Sequence, residues 1–152
     1  MNTSLPVAIH PAGEPRILRA FGDEVHVYLS GAETEGQFAV GLVITPPGGG
    51  PPPHYHEQEH EWFHVLQGKV SFLADGAWTE VGPGARVSCP KNSVHTFKNT
   101  GDSPLHMIVT AAPAGFEEFF RRCAEEFAKP GAPNMPRLIE IAGEHGIHFV
   151  NP

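Results

Sequence analysis

The stretch Gly48-Gly-Gly-Pro-Pro-Pro-His54-Tyr-His56-Glu-Gln-Glu-His60-Glu61-Trp-Phe63-His64-Val-Leu-Gln-Gly68 places four of the chain's ten histidines within eleven residues. His54 and His56 are two apart, so an extended backbone projects both imidazoles from one face. Glu61 follows across a short polar turn, at the start of a new apolar run. Neutral imidazole together with carboxylate suits a first-row divalent ion. Calcium would call for oxygen ligands alone and a thiolate site would call for cysteine. A fourth ligand has to come from elsewhere in the chain.

Outward from this stretch the pattern is that of strands. Val25, Val27 and Leu29 alternate with His26 and Tyr28 over Phe21 to Leu29, as in a strand with one buried face. Gln37 to Thr45 repeats the pattern, with Phe38, Val40, Leu42 and Ile44 in phase, and Pro46 and Pro47 end it. Trp62 to Leu66 and Val70 to Leu73 hinge at Gly68, Asp75-Gly76 is a hairpin signal, and Ala77 to Val81, Ala85 to Cys89, His95 to Asn99 and Leu105 to Ala111 follow at close spacing. About eight short strands separated by turns predict an all-β sandwich or barrel over residues 21–112. Residues 1–20, with three prolines, read as an irregular N-terminal arm.

Residues 113–152 change character and read as a C-terminal helical extension packed on the barrel. Phe116, Phe119, Phe120, Cys123 and Phe127 fall on one helical stripe, expected as the buried side of a helix packed on a sheet. Asn134 is a plausible N-cap for a second helix through about Ala142.

Composition sets limits on partners. Seventeen glycines and sixteen prolines favour turns over long helices, and 40% hydrophobic with 18% charged residues is an ordinary balance for one domain of 152 residues. A formal charge of -7 disfavours nucleic acid and anionic membranes as partners. Cys89 and Cys123 read as two buried thiols. The first thirteen residues lack a basic region followed by an apolar run, and no stretch reaches eighteen apolar residues, so the expected compartment is the cytoplasm.

Two parses compete for the histidine cluster. His56 to His60 and His60 to His64 both match His-Glu-x-x-His, a zinc protease signature when it lies on a helix. Three prolines just before His54, and Gly68 four residues beyond His64, argue against that helix. The other parse is a pair of spaced blocks. Gly48, five residues, His54, one, His56, four, Glu61, six and Gly68 form the first. Gly84, five residues, Pro90, one, Asn92, two, His95, three and Asn99 form the second.

These blocks closely resemble the paired motifs of the cupin superfamily. The second departs once, with Asn92 where the family usually has glycine, and Asn is the residue that best tolerates the left-handed turn. The resemblance implies a double-stranded β-helix, a jelly-roll-like barrel, here with two C-terminal α-helices. It further implies one divalent transition metal ion (Fe, Mn, Ni, Zn or Cu) held by His54, His56, Glu61 and His95. The family also tolerates a three-residue gap before the acid position, which would make His60 the ligand. Strand alternation puts Phe63 inward with Glu61, and Phe97 on the face of His95, as candidate substrate-pocket walls. It turns Trp62 and His64 outward.

Barrel and helical tail together resemble small single-domain quercetinase-like cupins. The function this implies is a metal-dependent dioxygenase acting on a small oxygenated, flavonol- or diketone-like substrate, with Glu61 as ligand and catalytic base. Two alternatives stay open: a non-enzymatic small-molecule-binding cupin, or a metal-dependent isomerase or hydrolase. Family resemblance also implies a homodimer, with the arm and Trp62 as interface candidates.

Overall fold

A computed structural model describes residues 4–13 and 16–150. Eleven strands are found among them: β1 (Arg16–Ala20), β2 (Asp23–Leu29), β3 (Ala39–Thr45), β4 (His54–His56), β5 (His60–Gln67), β6 (Val70–Ala74), β7 (Ala77–Val81), β8 (Arg86–Cys89), β9 (His95–Asn99), β10 (Leu105–Ala112) and β11 (Ile147–Phe149). Two helices, α1 (Phe116–Phe127) and α2 (Met135–Glu144), lie between the last two strands. The strands form two antiparallel sheets, ordered β1-β2-β3-β10-β5-β8 and β11-β4-β9-β6-β7. This is the double-stranded β-helix expected from the paired blocks. No helix among the described residues is long and apolar enough to cross a membrane.

The inner faces follow from strand alternation. On β5, Glu61, Phe63 and Val65 are buried while His60, Trp62 and His64 are exposed, and on β10 Leu105, Met107, Val109 and Ala111 are buried. Phe63, Phe72 and Phe97 meet from the two sheets with ring centroids 5.3–5.8 Å apart, within the range of favourable aromatic pairing.

Three features differ from the sequence reading. Arg16–Ala20, assigned to the irregular arm, forms β1 and pairs with β2 through a two-residue hairpin at Phe21 and Gly22, both at positive φ (55° and 82°). A bulky aromatic at the first of those positions is not the usual hairpin signal, which is why the turn escaped notice. The rest of the arm that is described, residues 4–13, contains no strand, and residues 1–3 and 14–15 lie outside the described residues. On β3 the phase is reversed: Ala39, Gly41, Val43 and Thr45 are buried, while Val40, Leu42 and Ile44 are only partly covered on the outer side. The strand is apolar on both faces, so period alone could not choose. The inward face is tight at Gly41, where a Cβ would come within 3.2 Å of the His26 carbonyl oxygen and 3.3 Å of Val25 Cγ1 on β2. Finally, β11 was not foreseen. It pairs with β4, matching Ile147 to His56, His148 to Tyr55 and Phe149 to His54.

The helices brace the barrel and also close it. Asn134 caps α2, its Oδ1 accepting from the Arg137 amide at 3.2 Å. Phe119 and Cys123 of α1 pack with Leu138, Ile141 and Ala142 of α2, and with Ile147 of β11, in a second apolar cluster. Phe21 is its aromatic centre, with Phe119, Phe120, Phe127 and Phe149 all within 6.4 Å between ring centroids. That packing holds a bulky residue at an unfavourable positive φ.

The glycine-rich segment before His54 is a structured seam. The amide of Gly48 donates to the Asn99 carbonyl (3.0 Å), the Asn99 amide donates to the Gly49 carbonyl (2.9 Å), and Gly50 sits at φ 151°. A Cβ on Gly50 would lie 1.9 Å from the Phe97 carbonyl oxygen, so only glycine allows the two segments this approach. The Asn99 side chain fixes the seam from behind, donating to the carbonyls of Thr45 and Ser103. Gly50→Ala is expected to lower the unfolding free energy by about 3 kcal/mol in chemical denaturation. A loss below about 1 kcal/mol would contradict this close approach.

Candidate metal centre

Four side chains from three strands converge inside the barrel. His54 and His56 come from β4, Glu61 from β5 and His95 from β9, and one donor atom from each lies within 4.8 Å of all the others. His56, Glu61 and His95 are buried, and His54 is partly buried. His54 is the register partner of His95, which sets two of the imidazoles side by side across the β4–β9 pair. Glu61 enters from the opposite sheet, where Cys89 and Ala111 flank it on β8 and β10. Burial and the nearby Glu61 charge push the Cys89 thiol up to about 12, leaving it a neutral packing group.

The ambiguity between His60 and Glu61 is resolved by alternation. His60 points out of the barrel, with its Nε2 2.7 Å from the Ser88 hydroxyl. His64 and Trp62 are likewise exposed on the outer face. Residues 60–67 are a strand, so neither His-Glu-x-x-His match lies on a helix and the zinc protease geometry is absent.

Each histidine is held through its Nδ1 by an acceptor outside the cluster. His54 Nδ1 donates to the Pro52 carbonyl (2.8 Å), His56 Nδ1 to Glu59 Oε2 (3.1 Å) and His95 Nδ1 to the Ser93 carbonyl (3.0 Å). Those bonds fix the tautomer that turns the Nε2 lone pair inward, the arrangement a metal-ligating imidazole requires. The Nε2 atoms of His95 and His56 stand 3.2 and 3.4 Å from Glu61 Oε2. His56 Nε2 is buried with no hydrogen-bond partner, an orphaned acceptor that a cation at the convergence point would satisfy.

Electrostatics prepare the same forms. Burial, reinforced by the positive potential of His95 and His56, lowers the His54 pKa to about 4 and keeps its ring neutral. Burial alone would raise Glu61. The His95 hydrogen bond, with the electropositive surroundings of the neighbouring imidazoles, overcomes that effect and holds the carboxyl below the usual range, ionised and ready to ligate once an ion takes the place of that bond. Burial opposes a charge on His56, but its bond to Glu59 and the charges of Glu61 and Glu59 raise its pKa, so an ion competes there with a proton. Three neutral nitrogens and one carboxylate fit a first-row divalent ion.

Glu59 was missed from the sequence. It is buried, and its carboxylate both orients His56 and packs near Gly115 at the head of α1, where a Cβ would come within 3.4 Å of Glu59 Oε1. The available signal was its position three residues after His56 across the turn that joins β4 to β5. The turn after β8 supports the same strand: Asn92, at φ 67°, donates its amide to the His56 carbonyl at 2.7 Å. Its departure from glycine therefore leaves the left-handed turn in place.

The cluster opens on a cavity of about 90 Å³. Phe63 and Phe97 line it, with ring centroids 5.7 Å apart. Phe116, Phe119 and Phe120 of α1, together with Phe21 and Phe149, complete an aromatic wall. Seven of the chain's ten phenylalanines thus surround one space. The stripe on α1 was expected to be packing; it packs and also roofs the cavity.

Residues 41–111 match a family model described as "Cupin domain". Over 139 residues, 91% of this chain, the sequence is 29% identical to quercetin 2,3-dioxygenase of Bacillus subtilis (strain 168), and it spans 40% of that protein's length. A sugar phosphate isomerase from the cupin superfamily of Silicibacter pomeroyi is similar in structure, with 26% identity and a TM-score of 0.54 over 60% of this chain and 59% of that one. The polyketide cyclase RemF of Streptomyces resistomycificus gives 24% identity and a TM-score of 0.60 over 70% of this chain and 80% of that one. A predicted oxalate decarboxylase of Thermotoga maritima gives 23% and 0.58 over 65% and 91%. The last two likenesses establish the shared fold alone.

Glu59→Gln is expected to leave all four ligands in place yet weaken divalent metal binding about 10- to 100-fold, read by competition with a chromogenic chelator. Unchanged affinity would show that Glu59 does not orient His56.

Proposed function

This chain is a member of the cupin superfamily with a buried His3Glu metal-capable centre, and on that footing we propose that it is a metal-dependent dioxygenase of a small, flat, oxygenated aromatic substrate. The observation that carries this reading is the composition of the cavity. The four candidate ligands sit in a space whose remaining lining is apolar apart from Asp23, and no Lys or Arg lines it. Such walls suit a ring system. A sugar phosphate would need cationic or amide donors for its phosphate, which sets this cavity apart from the demands of a sugar phosphate isomerase. The similarity to a quercetin 2,3-dioxygenase points the same way.

A bound ion would supply Lewis acidity that lowers the pKa of a ligating substrate hydroxyl and a redox centre at which dioxygen can be used. The protein's own part can be followed residue by residue. His54, His56 and His95 present Nε2 lone pairs in a fixed orientation. Glu61, which lines the cavity and is held ionised, would accept the proton that the substrate hydroxyl gives up. Phe63 and Phe97, packed edge to face, form the apolar floor beneath the ring system, while Phe116, Phe119 and Phe120 cover it from α1. Together they would exclude water from the bound substrate.

Protein reconstituted separately with iron, manganese, nickel and copper is expected to consume dioxygen in step with the loss of a flavonol or a β-diketone with at least one of these ions. His95→Ala should abolish the uptake. Glu61→Gln should reduce the rate by about 100-fold or more. No uptake with any ion across the panel would overturn the dioxygenase reading.

A further inference from the structure

One group in the cavity takes no part in the centre described above. Asp23, the first residue of β2, is 7% exposed and lines the cavity from the six-stranded sheet, with β3 and β10 separating its strand from that of Glu61. Outside the four candidate ligands it is the only polar side chain in the lining among the described residues. Its Oδ1 is buried with no hydrogen-bond partner. The neighbouring Thr45 hydroxyl is fully buried and equally unpartnered.

A carboxylate in such surroundings destabilises the fold. Burial pushes the Asp23 pKa up to about 6, with Thr45 close enough to hold it down only in part. At neutral pH it is therefore largely ionised, with the Thr45 hydroxyl its one neighbouring donor and Oδ1 left without a partner. Groups of this kind are rare in packed interiors, and where they occur they mark a place where something else supplies the missing bond. No lysine, arginine or histidine forms an ion pair with it among the described residues. The chain around it is also rigidly set: Ala20 pairs with Asp23 across the hairpin, and Phe21 in the turn is wedged among the rings of α1 and Phe149.

We propose that Asp23 is a specificity-determining residue, a second polar anchor that accepts a hydrogen bond from a ring hydroxyl of an aromatic ligand while the rest of that ligand lies against the phenylalanine walls. Thr45, fully buried behind the lining, then stands beside the carboxylate as its neighbouring donor from within the protein. This inference rests on the cavity being the ligand site, but not on the ligand being oxygenated there.

The test uses zinc-loaded protein, which binds without turning over, and two flavonol probes: quercetin, and the otherwise identical flavonol without the two hydroxyls on its pendant ring. Binding is read by fluorescence quenching, with zinc content and thermal midpoint measured on each sample. Wild-type protein is expected to bind quercetin about tenfold more tightly than the other probe, as a hydrogen bond to a charged acceptor requires. Asp23→Leu should collapse the ratio to about threefold or less, with zinc content unchanged and a thermal midpoint equal to or above wild type, since an unsatisfied buried charge is removed. Asp23→Asn, close in shape, should keep that midpoint and lower the ratio in the same direction.

Three results would overturn the assignment: failure of the wild type to bind or to separate the probes, a ratio unchanged in Asp23→Leu, or a fall of several degrees in the midpoint of both variants. The last would mark a structural carboxylate. Failure of the dioxygenase reading is separately visible as absent oxygen uptake with the redox-active ions, and it leaves the zinc-binding ratio untouched.

Discussion

Three imidazoles and a carboxylate gathered within 4.8 Å inside an apolar barrel form an arrangement that water cannot relieve, and the rest of the structure is arranged to tolerate it. The strand carrying two of the four, β4, is only three residues long. It persists because β9 pairs along one side and the C-terminal strand β11 along the other. Further bonds pin its ends: Val150 donates its amide to the Pro53 carbonyl, and Glu57 donates its amide to the Gly146 carbonyl. The glycine seam then sets the approach to His54, and the turn at Asn92 supports His56. Remove the requirement that these donors meet, and little else explains why so short a strand is so heavily braced.

Much of this was legible in the sequence, for a definite reason. Strands with one buried face carry a period of two; β5 keeps it from His60 to Leu66, and β9 keeps His95 and Phe97 on one face although Thr96 between them is also covered, so Glu61 and Phe63, and His95 and Phe97, could be assigned to the interior from spacing alone. The same alternation turned Trp62 and His64 outward. The helical stripe on α1 and the cap at Asn134 were equally local signals, each contained in a few consecutive residues.

What could not be read was everything set by contact across the fold. The phase of β3 is set by its pairing with β2 and with β10, the latter some sixty residues away in the sequence, and a strand apolar on both faces offers no internal clue. β11 is three residues whose only argument for being a strand is the edge of β4. Glu59 and Asp23 look like two of many acids. Only the coordinates show that one is spent on orienting His56 and that the other is buried without a partner. The phenylalanines of α1 posed a false choice between core and cavity, since in a barrel closed by a helix the same ring face does both.

The central claim is that His54, His56, Glu61 and His95 bind one ion together. X-ray absorption on protein loaded with one equivalent of a divalent transition metal addresses it most directly. The account predicts three imidazoles and at least one oxygen at about 2.0–2.2 Å, with one imidazole contribution lost in His95→Ala. A spectrum showing one imidazole or none, or one unchanged by His95→Ala, would contradict it.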